Sequence, residues 1–597
     1  MVYGSAALLA LCALFGFATA GNIYTSPAQV TKKYDFIVVG GGTAGGVIAA
    51  RLSEIATVQV LVIEAGGLDN TTFFDLIYTP LLAGNAIGTE IDWNYSSVAQ
   101  PELDGRVIGY PRGKVLGGSS AINNMIYARG SSDEYNRLAS ASGNTAWSWS
   151  NLKSYILKNE QHTSPWNNRS NAGEYNPAWH GTGPLLTGLT ADVFDLDNRV
   201  ISNTKTFPST YPFNLDPNSG NMVGISWLET TVGNGMRSNS ASAYVHPALN
   251  TRSNLDILVG TQATKLVQTA PKTFRGVQVA QGTCAPTYTF TASKEIILSA
   301  GAIGTPQLLM LSGIGPATEL EALGIPVVLN VPDVGRNMQD QPILGFQWQV
   351  DPSFTTLSPF FANETAIGAA LAEWGQDHSG FAAGNTVVNT IGFLRLPNSS
   401  SLLSSGDPSA GPSSPHFQLA FLGLFYANPG QTSPAGNYNS IAIVLQSPTS
   451  RGSVNITSNS AFVAPSIDPN FFATPFDMGA MIAAARTAEA FFSTSVFDGY
   501  LIGPAAETAA AFASDEALEA YIRTYTNSIK HPVGTARISK NTDATGVVGP
   551  TLLVKGLTGL RIVDASVLPY APASFPQGEV YIIAERAADL IKSAWNL

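Results

Sequence analysis

The chain has 597 residues, of which 45% are hydrophobic and only 12% charged, a balance that allows several large cores and excludes intrinsic disorder. Its formal charge of −11, from 31 Lys and Arg against 42 Asp and Glu, offers no phosphate-neutralising surface and excludes nucleic acid as a partner. With Cys12 and Cys284 its only cysteines, it can build neither a disulfide framework nor a cysteine-ligated metal centre.

Residues 1–20 read as a signal peptide. Ala6 to Phe17 is apolar, Ala18-Thr19-Ala20 has the small-x-small pattern of a cleavage site, and the run is shorter than the ~20 residues of a spanning helix. Its start carries no Lys or Arg, a departure from the usual pattern. Cys12 leaves with the signal, and the remaining Cys284 reads as a small buried side chain. Six glycosylation sequons, at Asn70, Asn94, Asn168, Asn363, Asn398 and Asn455, agree with an extracellular, secreted chain. No later segment reads as a membrane span, so no membrane partner is expected.

Tyr34 to Val39 then reads as a buried strand, Thr43 to Ser53 as a helix packing through Ala49, Ala50 and Leu52, and Val58 to Ile63 as a second strand ending at Glu64. This is a βαβ unit at the start of a doubly wound sheet. Further strands are expected at Leu255 to Val267 and Thr287 to Leu298. Residues 350–440, with Pro, Ser and Gly clusters such as Ser399 to Pro415, read as part of a second domain, and the last hundred residues as strand, loop and helix.

The first turn of that unit, Gly40-Gly41-Gly42-Thr43-Ala44-Gly45, fits GxGxxG, and Glu64 follows nineteen residues after Gly45. Gly40 permits the tight turn, Gly42 admits a pyrophosphate to the backbone, and Gly45 lets helix and strand approach. The helix N-terminus faces the phosphates and Glu64 can accept from ribose hydroxyls. This motif alone does not separate NAD from FAD.

Further glycine-punctuated stretches do separate them. These are Arg112-Gly113-Lys114-Val115-Leu116-Gly117-Gly118-Ser119-Ser120-Ala121-Ile122-Asn123, Ser299-Ala300-Gly301 through Ser312-Gly313-Ile314-Gly315, His531-Pro532-Val533-Gly534-Thr535, and Leu560 to Ser566 around Asp564. Together they resemble the signatures of the glucose-methanol-choline (GMC) family of FAD-dependent oxidoreductases, from about Tyr34 to the C-terminus. Asp92-Trp93-Asn94-Tyr95 and the Ser-rich stretch near residue 400 are most similar to the aryl-alcohol oxidase and pyranose dehydrogenase branch.

The resemblance implies an α/β fold: a Rossmann-like FAD-binding domain assembled from residues 31–115, 225–330 and 535–597, with an α+β substrate domain from 116–224 and 331–534. It implies FAD contacts at Gly40, Gly42, Thr43, Ala44, Gly45 and Glu64, and places Gly117, Ser120, Asn123 and Met125 beside the flavin. Asp564 and Ala565 match positions at the ribityl-pyrophosphate, and Ala263 one near the adenine. Some relatives bind FAD covalently through a histidine where this chain has Ile122, so FAD is expected to be non-covalent.

His531 matches the family's catalytic histidine. Oxidising an alcohol moves a hydride to the flavin while a base takes the hydroxyl proton, and a near-neutral imidazole suits that task. The other five histidines, His162, His180, His246, His378 and His416, read as structural or surface residues. Where the family supplies a second histidine or asparagine, eleven residues beyond Asp564, stands Phe575, which can neither accept a proton nor donate a hydrogen bond. Lys530 occupies a common aromatic-wall position and either points to solvent or binds substrate oxygen in place of the missing partner. Gln341, closing Asn337-Met338-Gln339-Asp340-Gln341 where a histidine is often found, reads as structural drift.

No GxSxG elbow, P-loop or histidine pair at metal-ligand spacing occurs, so no metal is expected. The expected activity is oxidation of an aromatic or allylic primary alcohol to a carbonyl, with oxygen or a quinone as electron acceptor. Biomass attack and natural-product biosynthesis are both open as settings, and the chain is expected to be monomeric. The alternative kept open by Phe575 is a non-redox cyclisation or dehydration over a structural FAD, as in versicolorin B synthase. A flavin-binding but inactive protein is a third possibility.

Overall fold

The computed structural model describes residues 20–384 and 387–597. The signal-peptide reading, with Cys12, falls on residues 1–20 and so lies almost wholly outside them.

The first sheet has six parallel neighbours in the order Ile23–Tyr24, Leu255–Leu258, Val60–Ile63, Tyr34–Val39, Tyr288–Leu298, Leu560–Ile562. The central strands are continuous runs of Val, Ile and Leu, as burial on both faces requires, and Phe36, Ile37, Val38 and Val60 to Val62 are fully buried. Tyr288–Leu298 is long enough to serve twice. Its first half pairs antiparallel with Thr273–Ala280, which pairs with Gln262–Ala270, while its second half joins the parallel sheet. The stretch read as one strand over Leu255 to Val267 is therefore two, broken at Gly260, whose φ is +62°.

The helix Thr43–Leu52 starts directly after the first strand and packs on the C-terminal helix Gln577–Ala594. A Cβ on Gly45 would lie 1.9 Å from the Gly40 carbonyl oxygen, so only glycine lets this helix sit so close to the strand that feeds it.

The second sheet is antiparallel, in the order Leu501–Pro504, Pro342–Val350, Tyr438–Leu445, Phe417–Leu422, Val388–Leu394, Gly224–Trp227. It draws on a longer stretch of chain than residues 350–440. Alternation along its strands decides which side chains meet which neighbour. Phe417, Leu419, Phe421, Ile441, Ile443 and Leu445 pack with the helix Pro475–Phe492. Gln418, Ala420, Leu422 and Ala442 point the other way, into a cavity. Among the described residues no helix is long and apolar enough to cross a membrane. Cys284, expected to be buried, is exposed in the loop between Thr273–Ala280 and Tyr288–Leu298.

Candidate active site

The cavity measures about 620 Å³ and is lined by residues of both sheets. One part lies at the carboxyl ends of the parallel strands, where Gly40, Gly42, Thr43, Ala44, Glu64, Ala263, Asp564 and Ala565 meet. Glu64 is held by two backbone donors, Gly41 N–H to Oε2 and Gly66 N–H to Oε1, each at 2.8 Å. Burial pushes its carboxyl up to about 7 against these donors. Asp564 accepts from Gly301 N (2.9 Å), the Thr305 hydroxyl (2.6 Å) and Ser566 N (2.8 Å), which pins the start of the helix Gly301–Leu311 to the cavity wall.

These residues fit a dinucleotide. Gly42 has nothing nearer to its missing side chain than the Cα of Gly118 at 3.6 Å, leaving its backbone open to the cavity. The Ser299 hydroxyl, also on the wall, is buried without a hydrogen-bond partner. Gly45 and Gly117 do not line the cavity. Gly45 works behind it, as the packing above requires; Gly117, expected beside the flavin, is set back against Ala121, Ala241 and Asn239, and Gly118 with Ser119 takes its place on the wall.

Further along, Ser120, Asn123 and Met125 reach the cavity on a loop held in left-handed backbone, with φ +60° at Met125. Asn123 is fully engaged: its Nδ2 donates to Gln577 Oε1 (2.9 Å), and its Oδ1 accepts from Met125 N (3.0 Å) and Arg237 Nη1 (2.6 Å). Arg237, a fully buried guanidinium that burial pulls down to about 9, was not identified from the sequence. Nothing in its local pattern marks it, because its partners are Asn123, the Ser120 carbonyl and the Ile77 carbonyl.

In the third part of the cavity stand His531, Lys530 and Phe575. Asp340 organises this corner: its buried carboxylate accepts from the Tyr110 and Ser528 hydroxyls and, at 2.8 Å each, from Gln341 N and His531 N. Gln341 is not drift. Its Oε1 lies 2.7 Å from His531 Nδ1, while its Nε2 donates to the carbonyls of Gln446 (3.0 Å) and Pro572 (2.8 Å) and to Gln446 Oε1 (3.1 Å). With acceptors all around the amide nitrogen, the oxygen must face the imidazole, so Nδ1 carries the proton and Nε2 is left as the acceptor. Burial, with the Arg112 and Lys530 charges, pulls His531 down to about 3, so it is a neutral base at ordinary pH. Phe575 meets the imidazole edge to face, with ring centroids 5.4 Å apart and planes at 84°, and packs among Met222, Leu228, Val388 and Ile391.

The remaining histidines are engaged in structure, and most are well covered rather than on the surface. His162 and His180 converge with Glu229 into one cluster, a juxtaposition that their sequence spacing hides. His162 Nδ1 meets Glu229 Oε1 at 2.6 Å, and Asn171 Nδ2 donates to His162 Nε2 at 3.0 Å. His180 spans Glu160 (3.2 Å) and Asp216 (3.0 Å), and Arg129 also pairs with Glu160 (3.2 Å). Four ring nitrogens with partners already in place make this an ion cluster that braces the strands beside the Met125 loop. His246 pairs with Asp69, and His416 accepts from Leu396 N while facing Asp407.

Comparison with known proteins agrees with this geometry. The GMC oxidoreductase family matches residues 34–343 and 448–584, its N- and C-terminal parts. Pyranose dehydrogenase 2 of Leucoagaricus meleagris is 38% identical, over 99% of this chain and 98% of its own length. A formate oxidase from Aspergillus oryzae superposes with a TM-score of 0.85 at 28% identity, covering 95% of this chain and 99% of the other. A fungal aryl-alcohol oxidase, 24% identical with a TM-score of 0.81 over 95% of this chain and all of its own, shares the fold. The chain therefore belongs to the GMC oxidoreductases, FAD-dependent enzymes that act on CH–OH groups.

Proposed function

We propose that this protein oxidises an aromatic or allylic primary alcohol to the aldehyde, with His531 Nε2 taking the hydroxyl proton. One observation carries the reading: the base, in a fixed tautomer, faces a chamber walled by Ile343, Val388, Ala420, Leu422, Ala442 and Phe575. Such walls favour a flat apolar body, with Gln418 and Lys530 among the polar side chains that share the cavity with them. Bound FAD supplies the acceptor for the hydride that leaves the carbinol carbon. Gly40, Gly42, Thr43, Ala44, Glu64, Ala263, Asp564 and Ala565 would hold its dinucleotide part, and Ser120, Asn123 and Met125 would lie on the side of its reactive ring. Because Ile122 has no nucleophile, FAD is held without a covalent bond.

His531, pinned at Nδ1 by Gln341 and at its backbone by Asp340, needs no rearrangement to accept the proton. The electron acceptor in this reading is oxygen or a quinone, and the enzyme acts as a secreted monomer in biomass attack or natural-product formation. Exposed sequon asparagines at Asn70, Asn94, Asn168, Asn363 and Asn398 support secretion. Phe575 favours one second reading, a non-redox cyclisation or dehydration over structural FAD, since the chamber lacks the family's second polar group.

Anaerobic mixing with a panel of benzylic and allylic alcohols separates the two. The expected result is bleaching of the flavin, slowed at least about a hundredfold in His531→Ala with FAD content unchanged. Turnover under argon without bleaching would assign the chamber to non-redox chemistry.

A further inference from the structure

Lys530 stands beside the base in an unusual state. Its φ of +66° lies in the left-handed region that long side chains rarely adopt. The surroundings impose it: Lys530 N donates to the Ser528 hydroxyl at 2.6 Å, its carbonyl accepts from Arg112 Nη1 at 2.7 Å, and the next N–H is tied to Asp340. Backbone strain of this kind persists only where the surroundings over-determine it, and it clusters at active sites and ligand clamps. Lys530 lines the cavity and its charge acts on His531, yet its ammonium makes no hydrogen bond or ion pair with any described residue. Asp340, whose charge reaches it, is already filled by four donors. Among the described residues, the only acids on the cavity wall, Glu64 and Asp564, belong to the dinucleotide part and are held by backbone donors there.

A largely buried ammonium with no hydrogen-bonded or ion-paired partner is costly, and burial pulls Lys530 below its ordinary value although the more distant charge of Asp340 opposes this. A neutral alcohol leaves that situation unchanged. A ligand carboxylate relieves it with a charge-assisted hydrogen bond, and offsets one of the two cations that suppress the basicity of His531. We infer that Lys530 is a specificity residue and that the natural substrate is an alcohol bearing a carboxylate, whose apolar body fills the chamber while the carboxylate pairs with Lys530 Nζ. The inference rests on the reading of the chamber as an alcohol-oxidising site.

The test uses the holoenzyme and two near-isosteric probes, 4-(hydroxymethyl)benzoate and 4-(hydroxymethyl)benzamide, titrated by flavin absorbance under argon while bleaching is followed separately. The carboxylate is expected to bind at least about tenfold more tightly than the amide, with a preference that weakens as salt is raised. Lys530→Met should abolish the preference and Lys530→Arg retain it. Equal binding in the wild-type protein, which requires no variant to fold, overturns the inference, as does a preference that survives Lys530→Met. A Lys530-dependent preference without any bleaching upholds it while ending the oxidation reading. Bleaching by both probes with equal affinity does the reverse.

Discussion

Replacing Gln341 tests whether the tautomer of His531 is set as the geometry requires. In Gln341→Leu the imidazole loses the acceptor 2.7 Å from Nδ1, so the proton no longer has a preferred nitrogen and the ring no longer has a fixed orientation. A buried hydrogen-bonding group left without its partner costs about 1–3 kcal/mol, which at about 1.4 kcal/mol per decade corresponds to a fall of roughly five- to 150-fold in flavin reduction. The same change strands the Gln446 and Pro572 carbonyls that Nε2 served, so a lower Tm is expected as well. A purely structural role predicts that loss too, and a second variant with a different signature separates them. With the neutral imidazole as the proposed base and His531 held at about 3, the wild-type rate is expected to be flat across neutral pH and to fall only as pH drops through that value. Gln341→Glu places a carboxylate on the Nδ1 proton, which stabilises the imidazolium and moves the acid limb to higher pH. Stopped-flow flavin reduction across pH reads both variants. A Gln341→Leu enzyme within twofold of wild type, with a Gln341→Glu profile that does not move, would refute the assignment.

If one proton acceptor suffices, Phe575→His should restore a charge-assisted hydrogen bond in the transition state and raise alcohol-driven flavin reduction roughly ten- to a hundredfold; under the non-redox reading it impairs product formation under argon and creates no bleaching. Acid precipitation should release all the flavin, because Ile122 cannot bond to it, and colour retained by the pellet contradicts this. Burial opposes the His180 imidazolium, but Glu229, Asp216 and Glu160 hold it up to about 10. A histidine raised in the folded state from about 6.5 contributes stability that is complete below that pH and lost as pH rises through about 10. Tm should therefore decline over this window in the wild-type protein, and His180→Gln should flatten the decline.

The sequence by itself determined what local spacing encodes. A strand, a glycine-rich turn and a helix follow one another within residues 34–52, and the acid that ends the next strand lands on that turn, so Gly40 to Gly45 and Glu64 could be assigned from periodicity and turn chemistry. Family signatures around Asn123, His531 and Asp564 carried the proposed FAD and catalytic positions because they too are short contiguous motifs, and the structure brings those residues to one cavity. What holds those residues in place was decided only by the tertiary structure. Gln341 meets His531 across 190 residues and Arg237 meets Asn123 across 114, distances at which periodicity carries no information. His162, His180 and Glu229 come from separate segments, so their cluster exists only once the chain has closed. The same cause set Gly117 behind Gly118 and left Cys284 exposed: which side of a loop faces a cavity or the solvent depends on the elements packed against it, and those lie elsewhere in the chain.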